Sequence, residues 1–403
     1  MSLDDIDLLD ADAFQRQDHH EMFKRLRAES PVHFQADDLG GFWNLTLHHD
    51  VREANRNNEL FSSEIGGISI YDSGERAQQG EEMSTDQRGL NMIYTDPPKH
   101  TRYRRLVNKG FTPRMVGLLE QFLEHRSTVI VDHVIDRGEC DFVEDLAAEL
   151  PLQAIAEIMG VPQEDRHLIF QWSNDMIGMD DPEYEGDPTE AAMALYAYSH
   201  ELAAQRRVDP QDDIMTKLLD AEVEGDRLSE LEIDVFMLLL SVAGSETTRN
   251  AITHGMHALL THPEQFEALK ADPGLLDTAI DEMIRWATPV HHFRRTATAD
   301  TEIGGHHIAE GSRVVLWYAS ANRDDAVFDD PFSFDITRDP NDHIAFGGGG
   351  AHYCLGANLA RAELRFMFQE ILGRLGSMEL AGEPARLRSN FINGIKHLPV
   401  RWS

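Results

Sequence analysis

A chain of 403 residues, 41% of them hydrophobic, carries enough apolar material for a large buried core, and its length alone would allow two or three domains. Its 71 Asp and Glu against 36 Lys and Arg leave a formal net charge of −35, which argues against nucleic-acid binding or attachment to an anionic membrane, since both reward clustered positive charge. With only two cysteines, Cys140 and Cys354, there is no disulfide framework, and a cytoplasmic location is expected. Residues 1–14 are acidic where a secretory leader would be positive and then apolar. Val32–Phe34 alternates like a short strand. Residues 62–92 hold five glycines among many Ser, Gln and Glu and read as a long loop, of the kind that is a lid, a binding loop or a disordered segment; substrate access is the role expected here. Apolar residues at three-and-four spacing predict helices over 114–137, 143–160, 190–207, 229–260, 275–287 and 355–375. Val161-Pro162, His262-Pro263 and Asp272-Pro273 punctuate them. The most apolar stretch, Val235–Gly244, is too short to span a bilayer. Strand-like alternation returns in Thr301–Ile308, around a Gly304-Gly305 turn, and in Arg313–Trp317. No repeat and no linker divides the chain, so residues 1–403 are expected to form a single, mainly helical domain.

The segment richest in chemistry is Phe346-Gly-Gly-Gly-Gly-Ala-His-Tyr-Cys354-Leu-Gly356, followed at once by a helical pattern. Its glycines let backbone pass close to a flat object, and a thiol at a helix entrance has its pKa lowered by nearby N–H groups. Gly356 would let those N–H groups approach without a side chain between. No Gly-Lys-Ser/Thr follows, so the glycines do not form a phosphate cradle. Cys140, in Gly-Glu-Cys-Asp, reads as ordinary packing. In the 229–260 helix, Ala243-Gly244-Ser245-Glu246-Thr247-Thr248 places hydroxyls that compete for backbone carbonyls, and a local opening of the helix is expected there. Glu282-Met-Ile-Arg285 puts an acid and a base on one helix face.

Taken together, these segments resemble the cytochrome P-450 family. The resemblance implies a mainly α, single triangular fold with small β-sheets. Haem b would lie buried between the oxygen-binding helix and the cysteine-loop helix, with the Cys354 thiolate as its axial iron ligand. Phe346 lies eight residues before Cys354, one more than the commonest family spacing, and this longer version is similar to a bacterial branch that oxidises sterol side chains and methyl-branched lipids. By the same resemblance Glu246 relays protons and Thr247 steadies the bound oxygen. His100 and Arg104 in Asp96–Arg104, together with Arg295 and His352, meet the haem propionates, and Arg295 is preferred to Arg294. Glu282 and Arg285 are structural. Their usual third partner is an arginine where Ser333 stands, which leaves that partner open.

The implied activity is insertion of one atom of O2 into a C–H bond of an apolar small molecule, a steroid, isoprenoid or branched lipid. A ferredoxin and ferredoxin reductase would supply electrons to a monomer. A redox-neutral or peroxide-driven haem-thiolate enzyme, or a haem-thiolate sensor, would share the cysteine loop; the intact Glu246-Thr247 pair favours the monooxygenase. Met92, Ile93, Met176, Leu239, Val242, Ala243, Val290, Phe293 and Phe391 are the residues expected to line the substrate pocket. Six cations in Lys99–Arg114, and seven Lys/Arg against four Glu from Cys354 to Ser403, suggest a basic patch that docks the ferredoxin.

Overall fold

The computed structural model describes residues 2–71, 89–108, 113–178, 180–223 and 225–403. Most of the expected access loop, residues 72–88, lies outside them, as does Lys109. In chain order the helices are α1 Ala11–Gln15, α2 His19–Glu29, α3 His48–Arg56, α4 Lys99–Val107, α5 Pro113–Val134, α6 Glu149–Met159 and α7 Arg166–Ile177. They continue with α8 Pro188–Val208, α9 Ile214–Asp220, α10 Glu230–Thr261, α11 Pro263–Ala271, α12 Leu276–Ala287, α13 Tyr318–Ala321 and α14 Ala357–Arg374. The long helices begin where the sequence supplies caps. Asp187 accepts from the N–H groups of Thr189 and Glu190 ahead of α8, whose first residue is Pro188. Ser229 and Glu232 form a reciprocal capping box at the start of α10. At the end of α6, Gly160 takes the left-handed conformation (φ 79°) that closes a helix without a Cβ penalty.

Five strands, β1 Val32–Gln35, β2 Phe42–Leu45, β3 Phe61–Ser62, β7 His292–Ala297 and β10 Arg313–Trp317, form one sheet in the order β1-β2-β10-β7-β3. Only the β2/β10 pairing is parallel. Smaller sheets join β4 Glu139–Asp141 to β11 Met378–Leu380 and β14 Pro399–Trp402, and β12 Ala385–Arg386 to β13 Ile395–His397. Two hairpins remain, β5 Glu222–Val223 with β6 Asp226–Arg227, and β8 Thr301–Ile303 with β9 His306–Ile308.

The largest apolar cluster joins α5, α10, α12 and α14 through residues such as Leu123, Ile252, Met283, Leu364 and Phe368. A second holds α6, α7, α8 and α9 against the first half of α10. Helix α10 therefore runs between the two clusters, and the functional residues sit along it and at its neighbours. Among the described residues no helix is long and apolar enough to cross a membrane.

Candidate active site

The cysteine loop is seated on a helix. Gly347, Gly348, Gly349 and Gly350 all have positive φ (93°, 65°, 107° and 82°), so none tolerates a side chain without strain. A Cβ on Gly349 would come within 2.8 Å of Arg56 Nε, and one on Gly350 within 3.0 Å of both Arg56 Cα and the Asn55 carbonyl. The glycine run thus packs against the end of α3. Arg56 Nε donates to Gly348 O (3.1 Å), and Asn55 Nδ2 donates to Gly347 O and Gly349 O. The loop closes at its base, where the Cys354 N–H reaches Phe346 O at 3.1 Å.

Cys354 immediately precedes Leu355 and Gly356, the residue that caps α14. It keeps accessible surface, yet burial pushes its thiol pKa up, while the Gly356 N–H, Arg104 and Arg361 pull the other way. Gly356 has an ordinary negative φ, and a Cβ there would meet nothing within 4 Å, so glycine leaves the space beside the thiol open. The Phe346 ring lies 4.7 Å from the Arg361 guanidinium, which is itself paired with Asp281 (2.8 Å).

Beside the thiol stands a cluster of bases, His100 and Arg295 buried, Arg104 and His352 half-buried. The His100 and His352 rings lie 4.2 Å apart. Burial, then Arg104, hold His100 down at about 4; burial, then Arg295, His100 and Arg104, hold His352 down at about 2. Arg295 on β7 is 1% exposed, and burial pushes its pKa down. Its Nε and the Nε2 of His352 have no hydrogen-bond partner among the described residues. Arg104 Nη1 donates to Tyr353 O (2.6 Å), tying α4 to the cysteine loop. Arg295, a buried cation with an unused N–H group, calls for an anion. A flat cofactor with two carboxylates at one edge fits this cluster, and an iron beside the thiol fits Cys354. Arg294, the next residue on the strand, points elsewhere and donates to Ile70 O (2.9 Å), in agreement with the alternation of side chains along a strand.

Along α10, Leu239, Val242, Ala243 and Thr247 share one face and keep accessible surface, whereas Leu238, Ser241, Ser245, Glu246 and Thr248 are buried. Thr247 Oγ1 donates to Ala243 O at 2.8 Å, and Ser245 and Ser241 back-bond to carbonyls four residues earlier in the same way. The expected opening of the helix is absent: α10 is continuous from Glu230 to Thr261, because each hydroxyl adds to the ladder as a second donor without displacing the N–H. Glu246 is 3% exposed and is held by an ion pair with Arg249 and by Asn250 Nδ2 (2.9 Å). Arg249 also reaches Asn174 Oδ1 on α7 (3.2 Å).

All nine residues expected at the substrate pocket keep surface, none being fully buried. Met92, Met176 and Leu239 pack on the rim of the second apolar cluster, with Ile93 beside Met92 in the same short turn. Phe293 and Phe391 bring their rings to 5.9 Å, and Val290 is bridged to Ile392.

Glu282 and Arg285 are fully buried and paired at 2.7 Å. The open third partner is Arg338, whose Nε reaches Glu282 Oε2 at 3.2 Å, while Ser333 contributes only its carbonyl, to both arginines. The basic patch is a correction. Arg102 is bound by Asp226 and Glu232. Of the seven cations after Cys354, Arg361, Arg365, Arg374, Arg388, Lys396 and Arg401 are each paired with an acid, and burial lowers the pKa of Arg386. Counting charge along the sequence missed most of these partners, which come from distant segments, Glu379 being the exception. Lys99 and Arg105 remain exposed on α4. Asn55 was not legible at all: Arg-Glu-Ala-Asn-Arg reads as a solvated helix end.

A family model described as Cytochrome P450 matches residues 137–380. The steroid C26-monooxygenase of Rhodococcus jostii is 44% identical over 403 residues, covering 98% of this chain and 84% of that protein. The methyl-branched lipid omega-hydroxylase of Mycobacterium tuberculosis is 44% identical over 395 residues, covering 94% and 90%. Among solved structures, Mycobacterium marinum cytochrome P450 CYP268A2 in complex with pseudoionone aligns with a TM-score of 0.89 at 37% identity, over 100% of this chain and 99% of that one. CYP109E1 from Bacillus megaterium in complex with testosterone aligns at 0.82 and 33%, over 95% and 99%.

Proposed function

The chain belongs to the cytochrome P450 family and is a haem-dependent monooxygenase of apolar molecules; on that premise we propose that Cys354 is its thiolate ligand and that it hydroxylates the end of a branched aliphatic chain on a steroid, isoprenoid or lipid. The observation that carries the ligand assignment is the accessible Cys354 beside the buried cation Arg295, whose Nε has no partner among the described residues, with the half-buried Arg104 and the ring of His352 next to it. The substrate assignment is supported by two relatives named for terminal positions, C26 and omega, and by the apolar face from Leu239 to Thr247.

His100, Arg104, Arg295 and His352 would hold the two carboxylates of haem, with Phe346 and Gly356 beside the thiolate. Haem so ligated activates dioxygen, and the balance is one C–H bond, O2, two electrons and two protons giving one alcohol and one water. The protein's own contribution is positional. Val290, Phe293 and Phe391 on one side, with Met92, Ile93 and Met176 on another, present an apolar surface that displaces water from the substrate. Thr247, on the accessible face of α10, offers a hydroxyl that exchanges its bond to Ala243 O for one to a reacting oxygen. Glu246, directly behind, supplies the proton once its bond to Arg249 loosens. Electrons come from a ferredoxin and its reductase, and with most expected patch cations already paired, its contact on α4 narrows to Lys99 and Arg105.

Ferrous protein under carbon monoxide should give the red-shifted Soret band of thiolate ligation, and Cys354→Ser should abolish it. A panel of steroids, isoprenoids and branched fatty acids should produce a spin-state change, with O2 uptake dependent on ferredoxin and reductase. A Cys354→Ser protein that keeps the band overturns the ligand assignment. Turnover with no reductant overturns the monooxygenase cycle.

A further inference from the structure

Asn55 joins the two ends of the site through one side chain. It is 1% exposed, on the last turn of α3. Its Nδ2 donates to Gly347 O and, at 3.1 Å, to Gly349 O. Its Oδ1 accepts from Arg295 Nη2 (2.9 Å) and Tyr318 Oη (3.0 Å). Carbonyls only accept and a guanidinium only donates, so the orientation of the amide is determined by its partners and its four bonding positions are all used. Neither a carboxylate nor an apolar group of the same size can satisfy both sides. The four-glycine run is what allows this, since its positive φ values turn two carbonyls onto one nitrogen and its missing Cβ atoms let α3 approach.

We propose that Asn55 is a positioning residue that couples the cysteine end of the haem site to its carboxylate end, with α3 as the seat of both. The proposal rests on the reading that Cys354 and Arg295 contact the cofactor. Two links carry the coupling. On one side the Gly347 and Gly349 carbonyls set the course of a loop closed by the bond from the Cys354 N–H to Phe346 O. On the other, Arg295 is held by Asn55 Oδ1 and by its own bond from Nη1 to the Arg294 carbonyl (2.8 Å), leaving Nε for the cofactor.

The test compares wild-type holoenzyme with Asn55→Leu and Asn55→Asp, after far-UV circular dichroism establishes the fold. Two rates are measured: haem transfer to excess apomyoglobin, and conversion of the ferrous carbon monoxide complex from the thiolate to the thiol form. A hydrogen bond to a charged group is worth about tenfold or more. Asn55→Leu should therefore lose haem at least about tenfold faster and convert faster. Asn55→Asp keeps the bond to Arg295 but sets a carboxylate against two carbonyls. It should convert faster than wild type, and its charge, competing for Arg295, should speed haem loss as well. A packing role alone would spare the near-isosteric aspartate, so Asn55→Asp decides the matter if the leucine variant does not fold. Both rates within about twofold of wild type in a folded Asn55→Asp protein overturn the proposal. A wild-type protein with no thiolate band is a different result, and defeats the assignment of Cys354 instead.

Discussion

Thr247 and Glu246 are neighbours with opposite environments, and that difference supports the separate roles proposed for them. The threonine hydroxyl lies on the accessible face of α10 and, among the described residues, donates only to Ala243 O, a bond that costs little to exchange. The carboxylate is buried and fixed by Arg249 and Asn250. Thr247→Ala should leave haem content and substrate affinity unchanged while oxygen uptake uncouples into peroxide or water. Losses of this kind run to about 10²–10⁴-fold. Product formed per O2 consumed, with a parallel peroxide assay, measures it, and undiminished coupling would place the proton route elsewhere. Glu246→Gln should slow turnover too, but it also leaves Arg249 buried without its anion, a loss of about 3–5 kcal/mol where a buried pair is broken. Its kinetics therefore belong at a temperature where its unfolding curve shows it native.

The elements show why some of this was legible and some was not. Helices with strong three-and-four periodicity, such as Glu230–Thr261 and Ala357–Arg374, appeared within a residue or two of their predicted ends, because burial of one face is a local property of the sequence. The same reading put one helix over 143–160, where a turn of wider π-helix, Val143–Ala147, precedes α6. Strand β7 was missed. His292–Ala297 is buried almost throughout and so lacks alternation, and three of its six residues are His or Arg. Arg338 was missed for a related reason: the motif looked for an arginine at Ser333, whereas the side chain that reaches Glu282 comes from five residues further on. His397 shows the same long-range dependence. On β13, its Nδ1 meets Asp141 on β4 (2.7 Å), with Glu144 at 3.8 Å, and its Nε2 meets Glu183 in the α7–α8 connection (3.0 Å). Its neighbour Lys396 pairs with Asp181 and Glu183. Burial opposes the charged ring, but the hydrogen bonds to Asp141 and Glu183 outweigh it and raise the pKa above 6.5. A raised histidine pKa contributes stability that is complete below the unfolded value and is lost as pH rises through the folded one. His397→Gln should thus lower the melting temperature at pH 6, by about 2 °C for a partly exposed clamp, and make little difference at pH 9. An equal loss at both pH values would mean that the ring only packs.

At the scale of the whole molecule, charge is distributed so that the surface is acidic while neutral histidines lie inside. His19 stacks flat on Phe14 (4.7 Å, 3° between planes), with His20 at 4.1 Å and His291 at 4.9 Å. This group docks the N-terminal segment on Trp317 of β10, behind the strand that carries Phe293 and Arg295. Neither nitrogen of His19 has a partner among the described residues. Burial first, and then nearby arginines, hold His19 at about 3; burial holds His292 at about 3 as well, and His20, His254 and His291 are also pushed well down. These groups stay neutral when folded and take up protons when unfolded. Stability is therefore present above pH 6.5 and is lost as pH falls toward the folded values, by about 1.4 kcal/mol per pH unit for each histidine. Lowering the pH also protonates exposed histidines and reduces the self-repulsion of a chain at −35, which works in the opposite direction. The two effects separate in one variant. His19→Phe preserves the stack on Phe14 and adds no charge, so repulsion between surface acids is unchanged while one proton-binding site of the unfolded chain disappears. The unfolding free energy from urea titrations at pH 7.5 and pH 5 should fall less in His19→Phe than in wild type, by about 2 kcal/mol across that interval. Parallel losses in the two proteins would show that the buried histidines do not govern acid stability and that the surface carboxylates do.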